Sequence, residues 1–427
     1  MQRNRLETPQ SLLSKLSRYL LLALILSVPF QAFSQTPAET KAERQRAIKL
    51  YDENKFVDAI PVLEKLVLVL PSDVVLLEHL GWATFVVSGS TKDPEVRKQM
   101  RARALEFLTR AKDLGDESNL LDTGLEALSQ PDTMGKELSA VGEADAALRE
   151  GEAAHARGDL DNAIKGYKRA FELDPKLYLA PLFIGDMYFK KGHQAADPAE
   201  KKQMMATAGE WFARAIAIDE DIETAYRYWG DALMEIGDKE GARAKFVDGI
   251  IADPGNRTPY VGLMQWATEF KVSMAHPEIK QPQASIRSST EGSQTTLIID
   301  PKSMSERGPA YYWSFYDLTR STYKTSRFQK EHPGETEYRH SLKEEAAALR
   351  LVAEIVSKDL QNGTIKKVDP SLENLVKLSK ADLIEAYILF ARLNEGIARD
   401  YADYKKANRE KLRQYWKDFV IAKEGTF

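Results

Sequence analysis

The feature that most constrains this chain is a residue spacing that returns. Residues 151–175 read G-E-A-A-H-A-R-G-D-L-D-N-A-I-K-G-Y-K-R-A-F-E-L-D-P. Small residues (Gly151, Gly158, Ala163, Ala170) recur where two helices must touch, and Leu160 and Tyr167 fill between them. Asp174-Pro175 ends the unit, because a residue before proline is pushed out of the α region. The twelve-residue step from Gly151 to Ala163-x3-Tyr167 recurs from Ala47 to Ala59-x3-Leu63 with Pro71, and from Gly230 to Ala242-x3-Phe246 with Asp253-Pro254. Two stretched copies lie between: Gly81 to Ala104-x3-Leu108, and Gly185 to Ala208-x3-Phe212. Both take a step of 23, an insertion of 11. The insertions are related, for Asp93-Pro94-x3-Lys98-Gln99-Met100 returns 104 residues later as Asp197-Pro198-x3-Lys202-Gln203-Met204. The same offset maps Pro71 to Pro175 and Gly81 to Gly185, so a two-hairpin unit was duplicated in tandem. Asp then Pro is an N-cap followed by the first helical position, where proline's missing N–H costs nothing. The insertion therefore predicts a second helix that starts early, by about three turns at 3.6 residues per turn.

These marks resemble the tetratricopeptide repeat, whose signature is a 34-residue period with L-G, then Y, then A-x3-F, then P. The resemblance covers about residues 40–270 and is carried most fully by 144–256. It implies a solenoid of helical hairpins; with the residues beyond it read as a helical C-terminal domain with a long terminal helix, the expected fold is all-α. It also implies a non-catalytic scaffold, in which the first helices of successive hairpins line a concave groove for peptides or proteins. By position, the lining residues would be Glu78, Trp82 and Phe85 in the second hairpin and Leu148, Glu152 and His155 in the third. In the fourth they would be Leu182, Asp186 and Phe189, and in the fifth Arg227, Asp231 and Met234. The set mixes acids with apolar residues. An extended segment carrying basic and apolar side chains is expected there, since acids steer basic partners.

The organisation follows from the marks and from what interrupts them. Residues 1–34 read as a secretory signal: Arg3, Arg5, Lys15 and Arg18 precede an apolar run at 20–28, broken by Pro29, with Ala32-Phe33-Ser34 as the cleavage site. The run falls short of the roughly 20 residues that span a bilayer. The expected location is an exported, periplasmic one, with an uncleaved N-terminal anchor as the alternative. Residues 35–116 hold the first hairpin pair. Residues 117–143 form a joint, with a short helix through Leu120, Leu121, Leu125 and Leu128 broken at Gln130-Pro131. Residues 144–274 hold hairpins three to five and one terminal helix. Residues 275–308 are a Pro- and Ser-rich linker with a short strand at Thr295–Ile299. Residues 309–427 are helical without the repeat marks.

Composition bounds the chemistry. A net charge of −4 over 427 residues argues against a general nucleic-acid binder. The absence of cysteine excludes disulfides, thiolate metal sites and a cysteine nucleophile. No G-x-S-x-G, H-E-x-x-H or phosphate-loop motif occurs, so neither catalysis nor a cofactor is expected. His332 and His340, with Glu335, Glu337, Glu344 and Glu345, cluster in one stretch. The spacing Glu337-x2-His340 is half of a di-iron motif, but no second half exists, and acids at a helix start are explained by the dipole. The C-terminal aromatics suggest an alternative function. Tyr311, Tyr312 and Trp313 would stack on a polysaccharide or another ligand, with the repeats as a presenting arm. From Ser379 to Ile421 an apolar and aromatic stripe steps by four and three, through Leu383, Tyr387, Phe390, Ile397, Tyr401, Leu412, Tyr415 and Phe419. It predicts one long helix packed on its own domain, or self-association through a coiled coil.

Overall fold

In the computed structural model, residues 37–91, 93–130, 132, 138–282, 286–291, 294–299 and 307–421 are described; the expected signal segment lies outside them. Five helical hairpins come first: α1 (Pro37–Asp52) with α2 (Phe56–Val69), and α3 (Val74–Ser90) with α4 (Pro94–Asp113). After α5 (Asn119–Ser129) come α6 (Gly142–Ala156) with α7 (Leu160–Leu173), and α8 (Leu179–Gln194) with α9 (Pro198–Ile218). The fifth hairpin is α10 (Glu223–Glu235) with α11 (Lys239–Ala252), followed by α12 (Thr258–Glu269). The described helices thus pair as successive antiparallel hairpins of an all-α solenoid. The spacing has a simple cause. In each of the last four hairpins the large residue of the second helix seats over the glycine of the first: Leu108 over Gly81, Tyr167 over Gly151, Phe212 over Gly185 and Phe246 over Gly230. A Cβ on Gly151 would lie 2.5 Å from the Tyr167 ring. Gly151→Val is therefore expected to cost about 1–3 kcal/mol by overpacking. It should lower the urea midpoint at unchanged slope; an unmoved midpoint would contradict this account of the repeat.

Asp93 and Asp197 cap their helices as expected, accepting from the N–H groups of Glu95 and Val96, and of Ala199 and Glu200. The helices they open run 20 and 21 residues, against 14 in each of the other hairpins. The gain is about two turns rather than three, because part of each insertion lengthens the first helix (α3, 17 residues; α8, 16).

α3 reads V-V-L-L-E-H-L-G-W-A-T-F-V-V, apolar on every side, and such a helix belongs inside a structure. Indeed α1, α2, α4, α5 and α6 all pack on it. The joint therefore does not split the array, for α3 and α6 are direct neighbours. Arg101 on α4 fixes α5 by donating to the carbonyls of Ala127, Leu128 and Gln130. The turn of the first hairpin also reaches past its neighbour. The carbonyl and side-chain atoms of residues 53–55 lie against Gly158, Phe56 meets His155 edge-on at 5.9 Å, and the Gln194 amide donates to the Asp52 carbonyl.

The C-terminal region is a helical cluster: α13 (Pro309–Thr322), α14 (Phe328–Glu331), α15 (Leu342–Gln361), α16 (Pro370–Lys380), α17 (Ile384–Ala391), α18 (Glu395–Ala398) and α19 (Tyr401–Tyr415). It shares one hydrophobic core with the last hairpin. That core runs from Phe246, Ile250 and Trp266 to Trp313, Leu349, Tyr387 and Tyr415. Residues 275–282 of the expected linker are pinned rather than free. The Ala275 N–H donates to the Val420 carbonyl, and the Lys280 N–H to Ser371 Oγ. The strand at the end of this stretch is present as β2 (Gln294–Ile299), antiparallel to β1 (Ile286–Glu291), pairing Ile286 with Ile299.

The single long terminal helix is not there; α17 to α19 take its place. Asp382 adopts a left-handed φ of 57°, and the Leu383 N–H returns to the Leu378 carbonyl, which closes α16. Asn394 caps α18 by accepting from the Ile397 N–H, and Asn408 (φ −134°, ψ 25°) kinks α19. The polar residues within the stripe are its breakpoints. Gly396 faces the backbone of residue 340 at a distance no Cβ could share. The stripe itself is spent inside this region, with Tyr387, Ile397, Leu412 and Tyr415 all buried in the shared core.

Candidate functional site

The first helices of hairpins two to five line a single cavity of about 640 Å³. At one end α3 contributes Trp82, Phe85 and Val86, with Arg101, Thr123 and Glu126 beside them. The middle is built from α6, α7 and α8: Glu152, His155, Tyr167, Phe183, Asp186, Met187 and Lys190. At the far end stand Glu223, Arg227 and Tyr228 of α10, with Asn256 and Thr258. The two hairpin pairs thus share one groove.

Six of the twelve residues chosen by position line it: Trp82, Phe85, Glu152, His155, Asp186 and Arg227. The others sit elsewhere. Leu148 is buried with Ala144, Ala147 and Tyr167, and Leu182 with Phe212, Ala225 and Ala232. Both face a neighbouring helix instead of opening to the groove. Phe189 stacks on His193, and Met234 packs against the core shared with the C-terminal region. Glu78 lies off the cavity, beside Asp116, where burial and that neighbouring acid push its carboxyl up to about 7. Asp231 is also outside, raised to about 6 by burial. Tyr167, Lys190 and Glu223 were not anticipated. Tyr167 is a repeat mark that reads as interior filler. Lys190 and Glu223 stand at i+4 from Asp186 and i−4 from Arg227, a spacing that brings side chains together on one helix face.

The central charges are tightly connected. Lys190 Nζ donates to Asp186 Oδ2 at 2.8 Å and reaches His155 Nε2 at 2.9 Å. Burial, and then the Lys190 charge, hold the imidazole well below its usual pKa, so a neutral His155 accepts. Tyr167 donates its hydroxyl to Glu152 Oε1 at 2.5 Å. Burial pushes the Glu152 carboxyl up to about 7; Tyr167 and Lys190 oppose the shift, and Asp186 adds to it. At the far end the Glu223 carboxylate accepts from Asn256 Nδ2 and Thr224 Oγ1 and faces Arg227 Nε at 3.5 Å.

The C-terminal cluster is structural in its contacts. His332 faces Glu335, and His340 lies between Glu345 and Asn394. Among the described residues no group of three His, Asp or Glu side chains is placed to hold a metal ion. Tyr312 and Trp313 are core residues, each 1% exposed, and present no face on which a sugar could stack. Tyr311 is partly buried against the same core.

No family model matches the chain, and no curated relative does. Among solved structures it is similar to the first TPR domain of Spaghetti (RPAP3) bound to an HSP90 peptide, at 19% identity over 31% of this chain and 99% of that one, with a TM-score of 0.27. It is similar to the yeast Sti1 TPR2AB domain in its HSP90 complex, at 15% identity over 55% and 100%, TM-score 0.27. It is similar also to the P58(IPK) TPR domain, at 12% identity over 96% of both chains, TM-score 0.26. At these scores the likeness adds no weight of its own. The fold stands on the pairing of helices in this chain.

Proposed function

We propose that this protein is an exported, non-catalytic scaffold that captures an extended segment of a protein partner in the cavity between its hairpins. The observation that carries the reading is the continuity of that cavity across four hairpins, with an aromatic shelf at one end and paired charges along the floor. Trp82 and Phe85, tilted together at 5.8 Å, suit an apolar anchor. Glu152 and Asp186 suit a basic neighbour, since two acids converge there on one lysine. The N-terminal reading of a positive region, an apolar run and a small-residue cleavage site supports export. Among the described residues no helix is long and apolar enough to cross a membrane.

The test uses the full chain with a photo-crosslinking residue at Val86 or Met187 in the cavity, and at Leu68, which is 83% exposed and outside it. Partner adducts are expected from the cavity positions, and at least tenfold fewer after Phe85→Ala with Asp186→Asn, as loss of a hot spot worth about 2 kcal/mol gives more than tenfold. Equal adducts from Leu68 would refute the groove. Export is checked separately: the mature chain from the envelope fraction is expected to begin after Ser34.

A further inference from the structure

The middle of the cavity holds one carboxyl more than its bases can serve. Glu152 comes from α6 and Asp186 from α8, and Lys190 is the lysine between them. Its ammonium has three N–H groups: one goes to Asp186 and one to His155. Glu152 keeps the phenol of Tyr167 as its donor, from α7. On the α3 side Gly89 approaches, where a Cβ would come within 3.1 Å of Glu152 Oε2. Arg149, one turn back on α6, holds Asp145 at 2.8 Å and also favours the Glu152 carboxylate from a distance. The cavity-lining charges of α10, Glu223 and Arg227, face each other. The centre is therefore short of one positive charge whenever Glu152 is ionised. An entering carboxylate would meet two acids and a lysine that is already committed. An entering guanidinium or ammonium would complete the set.

We propose that this centre is a subsite for one cationic side chain of the bound segment, and that binding there expels a proton from Glu152. The inference rests on the groove reading above and names what the groove takes at its middle. The step balances. A protonated carboxyl and a free cation become a carboxylate–cation pair, and the proton goes to solvent. Burial raises the Glu152 carboxyl to about 7 against the pull of Tyr167, Lys190 and Arg149. The sign follows. Below that value the carboxyl is mostly protonated, and part of the binding free energy is spent on removing the proton. Above it the carboxylate is ready. The ionised fraction rises from about one tenth at pH 6 to about nine tenths at pH 8, so affinity should rise about tenfold over that range.

The probe is acetyl-Phe-Arg-amide, with acetyl-Phe-citrulline-amide as its uncharged isostere, titrated into the full chain at pH 6, 7 and 8. The arginine probe is expected to bind more tightly than the citrulline probe, with the tenfold pH rise. The rise should vanish in Glu152→Gln, which keeps an oxygen for Tyr167. Calorimetry of the wild-type chain at pH 7 in two buffers of different ionisation enthalpy is expected to show about half a proton released per probe bound. This second reading does not depend on the variant folding. Arginine binding with no pH dependence and no proton release overturns the proton coupling and leaves the groove standing. Equal binding of the two probes overturns the cationic subsite. No binding of either at about 10 mM, weaker than any useful contact, overturns the groove and the proposal with it.

Discussion

A chain ended at residue 270 is expected not to fold as the intact protein does. Its last hairpin and α12 would lose their cover, since Ile250, Ile251, Leu263 and Trp266 share one core with the C-terminal helices. At about 2 kcal/mol for each large apolar side chain returned to water, the loss comes to about 8 kcal/mol, comparable to the whole stability of an ordinary domain. Polar ties go with it. Tyr401 and Lys405 donate to the Ile251 and Ala252 carbonyls, which end α11 without partners of their own. Arg409 pairs with Asp221, and Arg413 with Asp248, at 2.5 Å each. The C-terminal region thus plays the part of a terminal cap, which repeat arrays need because each hairpin buries its apolar face only against a neighbour. Urea unfolding followed by circular dichroism should give a single transition for the full chain. The 35–270 fragment should show a broad, early transition or aggregate. A fragment that melts as sharply and as late as the full chain would show that the shared core contributes little.

The second large effect is expected at Glu345. This carboxylate is 1% exposed and meets Arg392 at 2.8 Å, His340 at 2.9 Å and the Tyr316 hydroxyl at 2.7 Å. Beside it Glu344, fully buried, takes Arg320 at 2.9 Å and the Tyr338 hydroxyl. Burial alone would raise the Glu345 carboxyl; His340 and Arg392 outweigh it and hold the group below the usual carboxylate range. Glu345→Ala strands a buried guanidinium, a histidine and a phenol, and should cost about 3–5 kcal/mol. Because the folded pKa is depressed, the stabilisation is full above the unfolded value of about 4.3 and fades as the pH falls through the lower, folded one. The gap between wild type and Glu345→Ala should therefore narrow as the pH falls through that lower, folded value. A variant within 1 kcal/mol of wild type at pH 7 would mean that water or movement compensates the stranded groups.

The hairpins could be read from the sequence because their packing is a matter of residue size at a fixed step. Gly151 and Tyr167 are visible as a pair without coordinates, and so are the Asp-Pro caps. The groove was legible at the polar Glu152, His155, Asp186 and Arg227 and at the aromatic Trp82 and Phe85. Leu148 and Leu182 fall on the same stripe, but whether an apolar position faces a groove or a neighbouring hairpin depends on superhelical winding, which no local pattern states. The terminal stripe misled for a related reason. A step of four and three survives across a break when Asp382 and Asn394 turn the chain yet keep the next helix on the same core.

The reach of the first hairpin across to the fourth has a consequence in time. A linear array can zip from neighbour to neighbour, and each step closes only a short loop. Here the Gln194–Asp52 contact joins residues 142 apart, and Tyr401–Ile251 joins residues 150 apart. Loop-closure entropy grows slowly with length, by about 0.6 kcal/mol for each doubling, so these contacts cost little at equilibrium. Their sequence separation weighs on the rate instead, because distant pairings are rewarded only after the chain between them is ordered. The hairpins form early, and the two distant closures set the clock for the finished molecule.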